Sequence, residues 1–459
     1  MDWWRDPLRA LVDGRRVILT GGPAAVWTPM IEPLCALGAS DILVVGTDGL
    51  GAGPQPEAQV AAVDIDGDVG PMARLRIAIN RIGDPPPSIV EAVEAFDPDR
   101  TAVVFGTFLG ESPTLAGRPL VAHRRPEWVA LEDKTTVDAL LDRAGIARAR
   151  SATVDIADAA ATWHRFDASE GTVWAVDARD GFHGGAAGTR WVTDDAKAVS
   201  VAAELSSMGD RVRIMPFLEG IPCSVHGIVL PDGIAALRPV EMVTLRRGHE
   251  LRYSGCATFW DPPDSVRDEM RQAARRVGEL LRADVDFRGA FTLDGVATAD
   301  GFRPTELNPR FGGGLGVITR GLGDTPLHLV LDLVVAGISL GISAADLENQ
   351  ILTDADVRRA GGTWQLHVPT PVEVTGRDAT YDGGEWRWSR EGDPVDANVV
   401  AAGSFARASF TDARTPVGPS VGQRSADFWR FADAELGTAI GPLAPATDVT
   451  GGSLSSCAR

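Results

Sequence analysis

The chain has 459 residues, of which 44% are hydrophobic, and its formal net charge is −19. This length predicts about three domains, and the acidity argues against a nucleic-acid partner, because phosphate binding needs a basic surface. Four cysteines are spread without a CxxC pair, which indicates neither a zinc site nor a disulfide framework. Because we see no secretion signal and no apolar run long enough to span a bilayer, we expect a cytoplasmic protein without a membrane partner.

The first part of the chain alternates buried strands with helices. Strand-like runs followed by glycines occur at 15–20, 41–54 and 101–112, and helical stretches lie between them. This alternation predicts a Rossmann-like α/β domain over residues 1–127. The segment ILTGGPAAVW lacks the GxGxxG spacing, which disfavours a dinucleotide site.

A second unit is predicted over residues 128–360. It opens with an amphipathic helix for which Asp133 is a candidate N-cap, followed by strand, glycine-rich turn and strand within a lid of about 150–215. A long amphipathic helix is predicted at 264–284, and a two-stranded hairpin follows it.

The pattern changes again near residue 361. A strand-like alternation is followed by a stretch rich in Gly, Pro and Trp, which predicts a small C-terminal module over 361–459. Its tryptophans are interpreted mainly as core residues, although an exposed one would suit stacking on a substrate.

The most informative stretch is PTELNPRFGGGLG, residues 304–316. In a strand, Glu306, Asn308 and Arg310 share a face, although Pro309 ends the strand or places it at an edge. Carboxylate and amide oxygens suit Mg²⁺, an arginine suits phosphate, and glycines allow backbone N–H groups to approach an anion. The segment therefore fits a metal–phosphate site, and equally a polar strand end with a flexible turn.

Asp294 adds a second carboxylate to this hairpin. If Asp294 ends the first strand and Glu306 the second, antiparallel pairing brings together two like charges, which need a cation or a proton between them. Alternatively, Asp294 starts a turn with Gly295, since Asp-Gly is a strong hairpin signal.

Taken in order, these segments resemble the ATP-grasp superfamily. The matching pieces are LEDKTTVDALLDRAGI, DARDGFHGGAAGTRWV, IMPFLEG and FRPTELNPRFGGG, which span about residues 128–340. The resemblance implies two Mg²⁺ ions on Asp294, Glu306 and Asn308, with Arg310 on the transferred phosphoryl group. It also implies that Lys134 binds the ATP phosphates and that the adenine binds the backbone near Met215, Pro216, Phe217 and Leu218.

The chain departs from the family at one position. The second phosphate-binding lysine is missing, because Asp177 or Ala178 stands where it is expected. Either Arg179 supplies the missing positive charge or Lys134 acts with Mg²⁺ alone. The glycine-rich turn, which includes Gly184 and Gly185, suits a lid that covers phosphates and moves.

The first domain and the arginine-rich composition are similar to those of pheganomycin-type peptide ligases of antibiotic biosynthesis. The resemblance implies an α/β and α+β architecture, in which a Rossmann-like pre-ATP-grasp domain precedes the ATP-grasp fold and a small C-terminal domain. The implied reaction joins a small carboxylic acid or amino acid to the amine of a peptide or amino acid through an acyl phosphate, with release of ADP and phosphate.

Two other functions stay open. One is a carboxylase-type enzyme that activates bicarbonate, and the other is a nucleotide-binding protein without catalysis. A homodimer is compatible with the sequence. For the substrate, Arg238 and Glu241 are candidate ligands of a carboxylate and an amine, and Gly313 and Gly314 are candidates for the acid site.

Overall fold

The N-terminal part is built around a parallel sheet. The structure is a computed structural model that describes residues 3–47, 57–65, 71–177, 186, 188–248, 250–323 and 325–446. The elements are α1 (Arg5–Val12), β1 (Arg16–Pro23), α2 (Thr28–Ala36), β2 (Asp41–Thr47), β3 (Gln59–Ala62), α3 (Pro71–Gly83), α4 (Pro87–Phe96), β4 (Val103–Phe105), β5 (Thr114–Leu115) and β6 (Arg118–Pro119). The strand order β3–β2–β1–β4 confirms the predicted α/β alternation, and β3 is a strand that the sequence analysis does not predict.

A second, antiparallel sheet lies within the range predicted as a lid, and we call it the lid sheet. The elements after the N-terminal part are α5 (Pro126–Val129), α6 (Val137–Arg143), β7 (Ala152–Asp155), α7 (Ile156–Thr162), β8 (Thr172–Val176), β9 (Thr189–Val192), α8 (Asp195–Leu205) and β10 (Arg211–Pro216). The strand order is β7–β10–β8–β9, and α7 and α8 share an apolar core with it.

Asp133 does not cap the helix predicted after it. Its carboxylate accepts the N–H of Thr135 at 2.8 Å, and α6 begins only at Val137. The side chain closes a local turn before the helix, an alternative that short acidic residues commonly offer the backbone.

The third sheet is large and antiparallel. Its first half contains β11 (Ile221–Leu230), β12 (Gly233–Ala236), β13 (Val240–Arg247), β14 (Glu250–Ala257), β15 (Gly289–Thr298) and β16 (Gly301–Asn308). The helices of this part are α9 (Asp264–Val285), α10 (Gly313–Ile318), α11 (Leu327–Val335) and α12 (Ala344–Val357). Buried Met270, Ala273, Val277 and Leu281 line one face of α9, as its periodicity predicts.

The C-terminal strands continue this same sheet. They are β17 (Gly361–Gln365), β18 (Val372–Asp382), β19 (Glu385–Trp388), β20 (Ala397–Gly403) and β21 (Phe405–Phe410), followed by α13 (Gly422–Leu436) and β22 (Ala444–Pro445). The main strand order is β16–β15–β11–β13–β14–β17–β21–β20–β18–β19, and β22 pairs with β13. The C-terminal residues share a core with β13 and β14, which places them beside the central sheet. Among the described helices, none is long and apolar enough to cross a membrane.

The hairpin β15–β16 differs from its prediction in the placement of both carboxylates, since Glu306 also lies within β16, before its last residue Asn308. Asp294 lies inside β15 and does not end it, and Gly295 makes no turn. The register slips by one residue after the Asp294–Glu306 pair, which leaves Thr305 as the extra residue of a β-bulge. The chain reverses later, between Thr298 and Gly301, where Gly301 has φ +106°. The bulge keeps both carboxylates within the ladder.

Candidate functional site

Two rows of polar side chains cross the face of the sheet formed by β11, β15 and β16. Directly paired positions on the three strands define the rows Ser224–Asp294–Glu306 and His226–Thr292–Asn308. Because alternate residues of a strand share a face, the spacing of two along each strand places both rows on one surface. The predicted meeting of Asp294 with Glu306 therefore occurs by direct cross-strand pairing.

This surface is one wall of a cavity of about 450 Å³ that also lies under the lid sheet. The described residues that were predicted as site residues and line it are Lys134, Met215, Pro216, Phe217, Leu218, Asp294, Glu306, Asn308, Arg310, Gly313 and Gly314. They come from elements that are far apart in the chain, so the fold gathers the predicted pieces in one place. Arg179, Gly184 and Gly185 lie outside the described residues.

Asp294 is held at the centre of the polar rows. Its carboxylate accepts hydrogen bonds from Ser224 Oγ at 2.6 Å and from Asn308 Nδ2 at 2.9 Å. Burial, and then the neighbouring Glu306 carboxylate, raises the pKa of Asp294 to about 7. Burial and the adjacent carboxylate both disfavour the charged form of Asp294, and a cation bound between the two carboxylates would stabilise that form.

Two basic side chains line the cavity among the described residues, apart from a buried histidine. Lys134 Nζ lies 3.2 Å from Glu306 Oε2 and 3.4 Å from Thr189 Oγ1 of β9, so it bridges the hairpin and the lid. Arg310 donates from Nη2 to Asn308 Oδ1 at 2.9 Å and thus reaches the second polar row.

Arg310 is oriented by a residue that the sequence analysis missed. Arg310 Nε donates to Glu132 Oε1 at 2.9 Å, and Arg124 Nη2 donates to the same oxygen. Glu132 is buried, and its carboxylate therefore binds the two guanidinium groups in a region that solvent does not reach. Glu132 stands two residues before Lys134 in LEDK, but nothing in its spacing distinguishes it from a surface acid.

The lid end of the cavity is apolar. Val173 and Ala175 of β8 line it together with Met215 to Leu218, and Phe217 stacks on Trp191 with ring centroids 4.5 Å apart. The N–H of Phe217 is already bonded to the carbonyl of Gly171 at 2.9 Å. This end suits a flat heteroaromatic ring, while the N–H of Phe217 is not available to bind it.

Arg238 and Glu241, predicted as substrate ligands, do not line the cavity. Arg238 is 2% exposed and its guanidinium pairs with Asp261 at 2.8 Å and with Asp356. Glu241 points to the opposite face of β13 from its cavity-lining neighbour Met242, and it accepts the N–H of Val421 at 2.9 Å. Both side chains are therefore used in packing, a role that a single sequence does not reveal.

The glycine run after Arg310 is required by close packing. A Cβ at Gly312 would lie 2.3 Å from Thr292 Oγ1, and a Cβ at Gly314 would lie 2.5 Å from His226 Cε1. Both distances are too short for a side chain, so the run covers the second polar row only because it consists of glycines.

The predicted replacement for the missing lysine, Arg179, lies outside the described residues, whereas Asp177, one of the two residues assigned to the lysine position, is described. Asp177 accepts the N–H of Asp210 at 2.9 Å, which ties it to the turn before β10. As an acid, Asp177 adds no positive charge. Among the described residues, Lys134 is the lysine that lines the cavity.

The oxygen ligands present fit a divalent cation that is shared with phosphate. No group of three His, Cys, Asp or Glu side chains within the described ranges is placed to hold a metal by itself. Asp294 and Glu306 face each other with the amide of Asn308 beside them. Mg²⁺ is commonly held by one or two carboxylates and completed by water and substrate phosphates, so this incomplete set suits it.

Comparison with known proteins gives the fold. Neither a family model nor a curated protein sequence matches the chain. Among solved structures, the phosphoribosylamine–glycine ligase of Thermotoga maritima has TM-score 0.50 at 14% identity, covering 87% of this chain and 94% of its own. The L-amino acid ligase of Bacillus licheniformis has TM-score 0.51 at 13% identity, covering 92% and 98%.

A carboxylase is also similar. The biotin carboxylase domain of the Hydrogenobacter thermophilus 2-oxoglutarate carboxylase, solved with MgADP and bicarbonate, has TM-score 0.53 at 12% identity, covering 92% of this chain and 90% of its own. This chain has the ATP-grasp fold. The predicted architecture, an N-terminal α/β domain followed by an ATP-grasp fold, is confirmed. At these identities the likeness establishes the fold, and the reaction has to be inferred from the residues that line the cavity.

Proposed function

We propose that this chain is an ATP-dependent ligase that joins a carboxylic acid to an amine through an acyl phosphate. The observation that carries the proposal is the meeting of Lys134 and Arg310 with Asp294, Glu306 and Asn308 in one cavity of an ATP-grasp fold. This set has the charge pattern of a phosphoryl-transfer site, with oxygen ligands for a cation and fixed donors for phosphate oxygens.

The chemistry follows from the poor reactivity of a carboxylate toward amines. Transfer of the terminal phosphoryl group of ATP to the carboxylate creates a phosphate leaving group, which an amine then displaces. Mg²⁺ bound at the two carboxylates would neutralise charge on the phosphates. Arg310, held by Glu132, offers donors to the transferred group, and Lys134 offers its ammonium to phosphate oxygens.

The finer proposal concerns the amine. We infer that it belongs to a peptide or amino acid, as in pheganomycin-type ligases, which resemble this chain in composition and domain order. A role in antibiotic biosynthesis, a cytoplasmic location and a homodimeric state are part of the same proposal.

The test is a product assay with Mg²⁺–ATP and mixtures of acids and amines. We expect ADP and phosphate to appear only when both an acid and an amine are present, with a mass-detected amide product. Release of AMP and pyrophosphate would refute phosphoryl transfer to the acid. Dependence on bicarbonate would instead support the carboxylase-type alternative, and tight ATP binding without turnover would support the non-catalytic one.

Glu306→Gln is the matching variant. It keeps the shape of the side chain but removes the charge opposite Asp294, so we expect turnover to fall at least about 100-fold while the fold is retained. Glu279→Gln, a charge removal on the exposed face of α9, is the control and should leave turnover unchanged. Full activity of Glu306→Gln would exclude Glu306 from the site.

A further inference from the structure

The cavity extends beyond the polar rows into a region that the proposed reaction has not yet used. We call this region the distal compartment, and its lining residues are Met242 and Thr244 of β13, Leu251 and Tyr253 of β14, Trp364 of β17 and Ala446. In the sheet, β13, β14 and β17 follow β11 on the side away from β15 and β16. Since neighbouring strands lie about 4.8 Å apart, the compartment begins roughly 10 Å from Asp294.

No charged side chain lines the distal compartment among the described residues. The titratable groups at its border are neutral near pH 7, because burial lowers the pKa of His226 to about 3, raises that of Cys256 to about 12 and raises that of Tyr253 well above its usual value. A charged substituent placed there would lose its hydration without gaining a partner. The compartment therefore favours uncharged groups.

Aromatic rings form much of its wall. Tyr253 and Trp364 meet edge to face, with centroids 5.9 Å apart and an interplanar angle of 82°. Both are only partly buried, so each keeps ring surface that no protein group covers. Met242 and Leu251 add flexible apolar surface nearby. Such a wall binds a planar ring by burial and by edge-to-face contact.

Two buried polar side chains of the second polar row, His226 and Thr292, border the cavity next to the glycine run. Both ring nitrogens of His226 and the Oγ1 of Thr292 have no hydrogen-bond partner in the structure, although these residues are 1% and 4% exposed. Buried polar groups without partners are costly, so a molecule in the cavity that supplied a hydrogen-bonding group to them would offset that cost. Their position beside Asn308 is where the polar end of such a molecule would meet the phosphoryl-transfer site.

We propose that the distal compartment holds the side chain of the acid substrate, and that this acid carries a bulky, uncharged aryl group. The inference rests on the proposed ligase function, and it assigns the C-terminal residues a role in substrate selection through Trp364 and Ala446. The carboxylate of the acid faces Arg310, and its ring lies against Tyr253 and Trp364.

The test compares acids of one backbone with different side chains. ADP release is measured with phenylglycine, phenylalanine, alanine, glutamate and lysine as the acid, with one mixture of dipeptides as amine. Burial of a phenyl ring predicts a kcat/KM about 30- to 100-fold higher for the aryl acids than for alanine, with glutamate and lysine no better than alanine.

Trp364→Ala removes half of the aromatic wall. We expect it to lower kcat/KM for the aryl acids about tenfold or more and to leave that for alanine unchanged. Trp364→Phe keeps an aromatic ring and should retain the preference for aryl acids. This variant tests the inference even if the alanine variant fails to fold. Trp388→Ala truncates a tryptophan of the same C-terminal region that does not line the cavity, and it should change neither value.

The outcomes separate this inference from the ligase proposal. Equal or better turnover with alanine, glutamate or lysine would overturn the aryl assignment and leave the ligase function standing. An unchanged aryl preference in Trp364→Ala would overturn the role of the compartment. If Mg²⁺–ATP binds and no acid releases ADP, the ligase function fails and this inference fails with it.

Discussion

Replacing Asp294 with asparagine should stabilise the ligand-free protein at neutral pH while it abolishes turnover. The carboxyl of Asp294 has its pKa raised to about 7 from 3.8, chiefly by burial and then by Glu306. Below pH 3.8 it is protonated in both the folded and unfolded states. As the pH rises above 3.8 the unfolded state ionises first, so stability is lost progressively until the folded state ionises near pH 7.

The size of the effect follows from this shift. Each pKa unit corresponds to about 1.4 kcal/mol, so the roughly three units between the two states amount to about 4 kcal/mol at most. Water within the cavity screens part of the penalty, which leaves an expected gain of roughly 2 to 4 kcal/mol for Asp294→Asn above pH 7. The amide cannot ionise, and the adjacent Glu306 also loses a like-charged neighbour.

Hydrogen exchange of the β15 amides is the appropriate assay, because a chain with several cores is not expected to unfold in a single step. After correction for intrinsic rates, we expect these amides to exchange roughly 30- to 1000-fold more slowly in Asp294→Asn than in the wild type at pH 8. At pH 4 the two proteins should differ little.

A matched control is available in the same hairpin. Asp300→Asn changes an exposed carboxylate at the turn and should show no pH-dependent gain. If Asp294→Asn and the wild type exchange equally at pH 8, or if the difference is the same at pH 4, Asp294 carries no penalty for burying charge and the electrostatic argument for the cation site fails.

Three further predictions concern other buried charges. Glu132→Gln should weaken the hydrogen bond that orients Arg310 and lower kcat about 10- to 100-fold, since a charge-assisted hydrogen bond is worth about 1.5–3 kcal/mol. ATP affinity should change little, and an equal loss in ATP affinity would contradict a positioning role. Lys134→Ala should weaken Mg²⁺–ATP binding by a similar factor in titration calorimetry, and unchanged affinity would remove Lys134 from the phosphate site. Asp332 is buried with one unpartnered oxygen, and burial raises its pKa. The amides of α11 should therefore exchange more slowly in Asp332→Asn than in the wild type at pH 8 but not at pH 4, and faster exchange at pH 8 would refute this.

Local patterns accounted for much of the fold. The run of apolar residues at helical spacing in α9 and the strand alternation of β15 and β16 are properties of short segments, and a sequence displays them directly. The order of the ATP-grasp pieces was also readable, because each piece is contiguous. These features predicted several of the residues that line the cavity, including Lys134 and Arg310.

The contacts between segments that are distant in the chain could not be predicted from local patterns. Asp-Gly usually indicates a turn, yet Asp294 and Gly295 lie inside a strand because a one-residue bulge maintains the ladder on both sides. Arg238 and Glu241 carry the charges of a ligand site, but long-range contacts with Asp356 and Val421 use them in packing.

The sequence by itself determined the long helix α9, the two strands of the hairpin and the presence of an acid–amide–base segment followed by glycines, since each depends on residues only a few positions apart. The tertiary structure decided which carboxylates face each other, that Glu132 orients Arg310 across 178 positions of the chain, and that Trp364 reaches the cavity. Those contacts depend on strand register and sheet order, which are set by the packing of the whole chain and by no local preference.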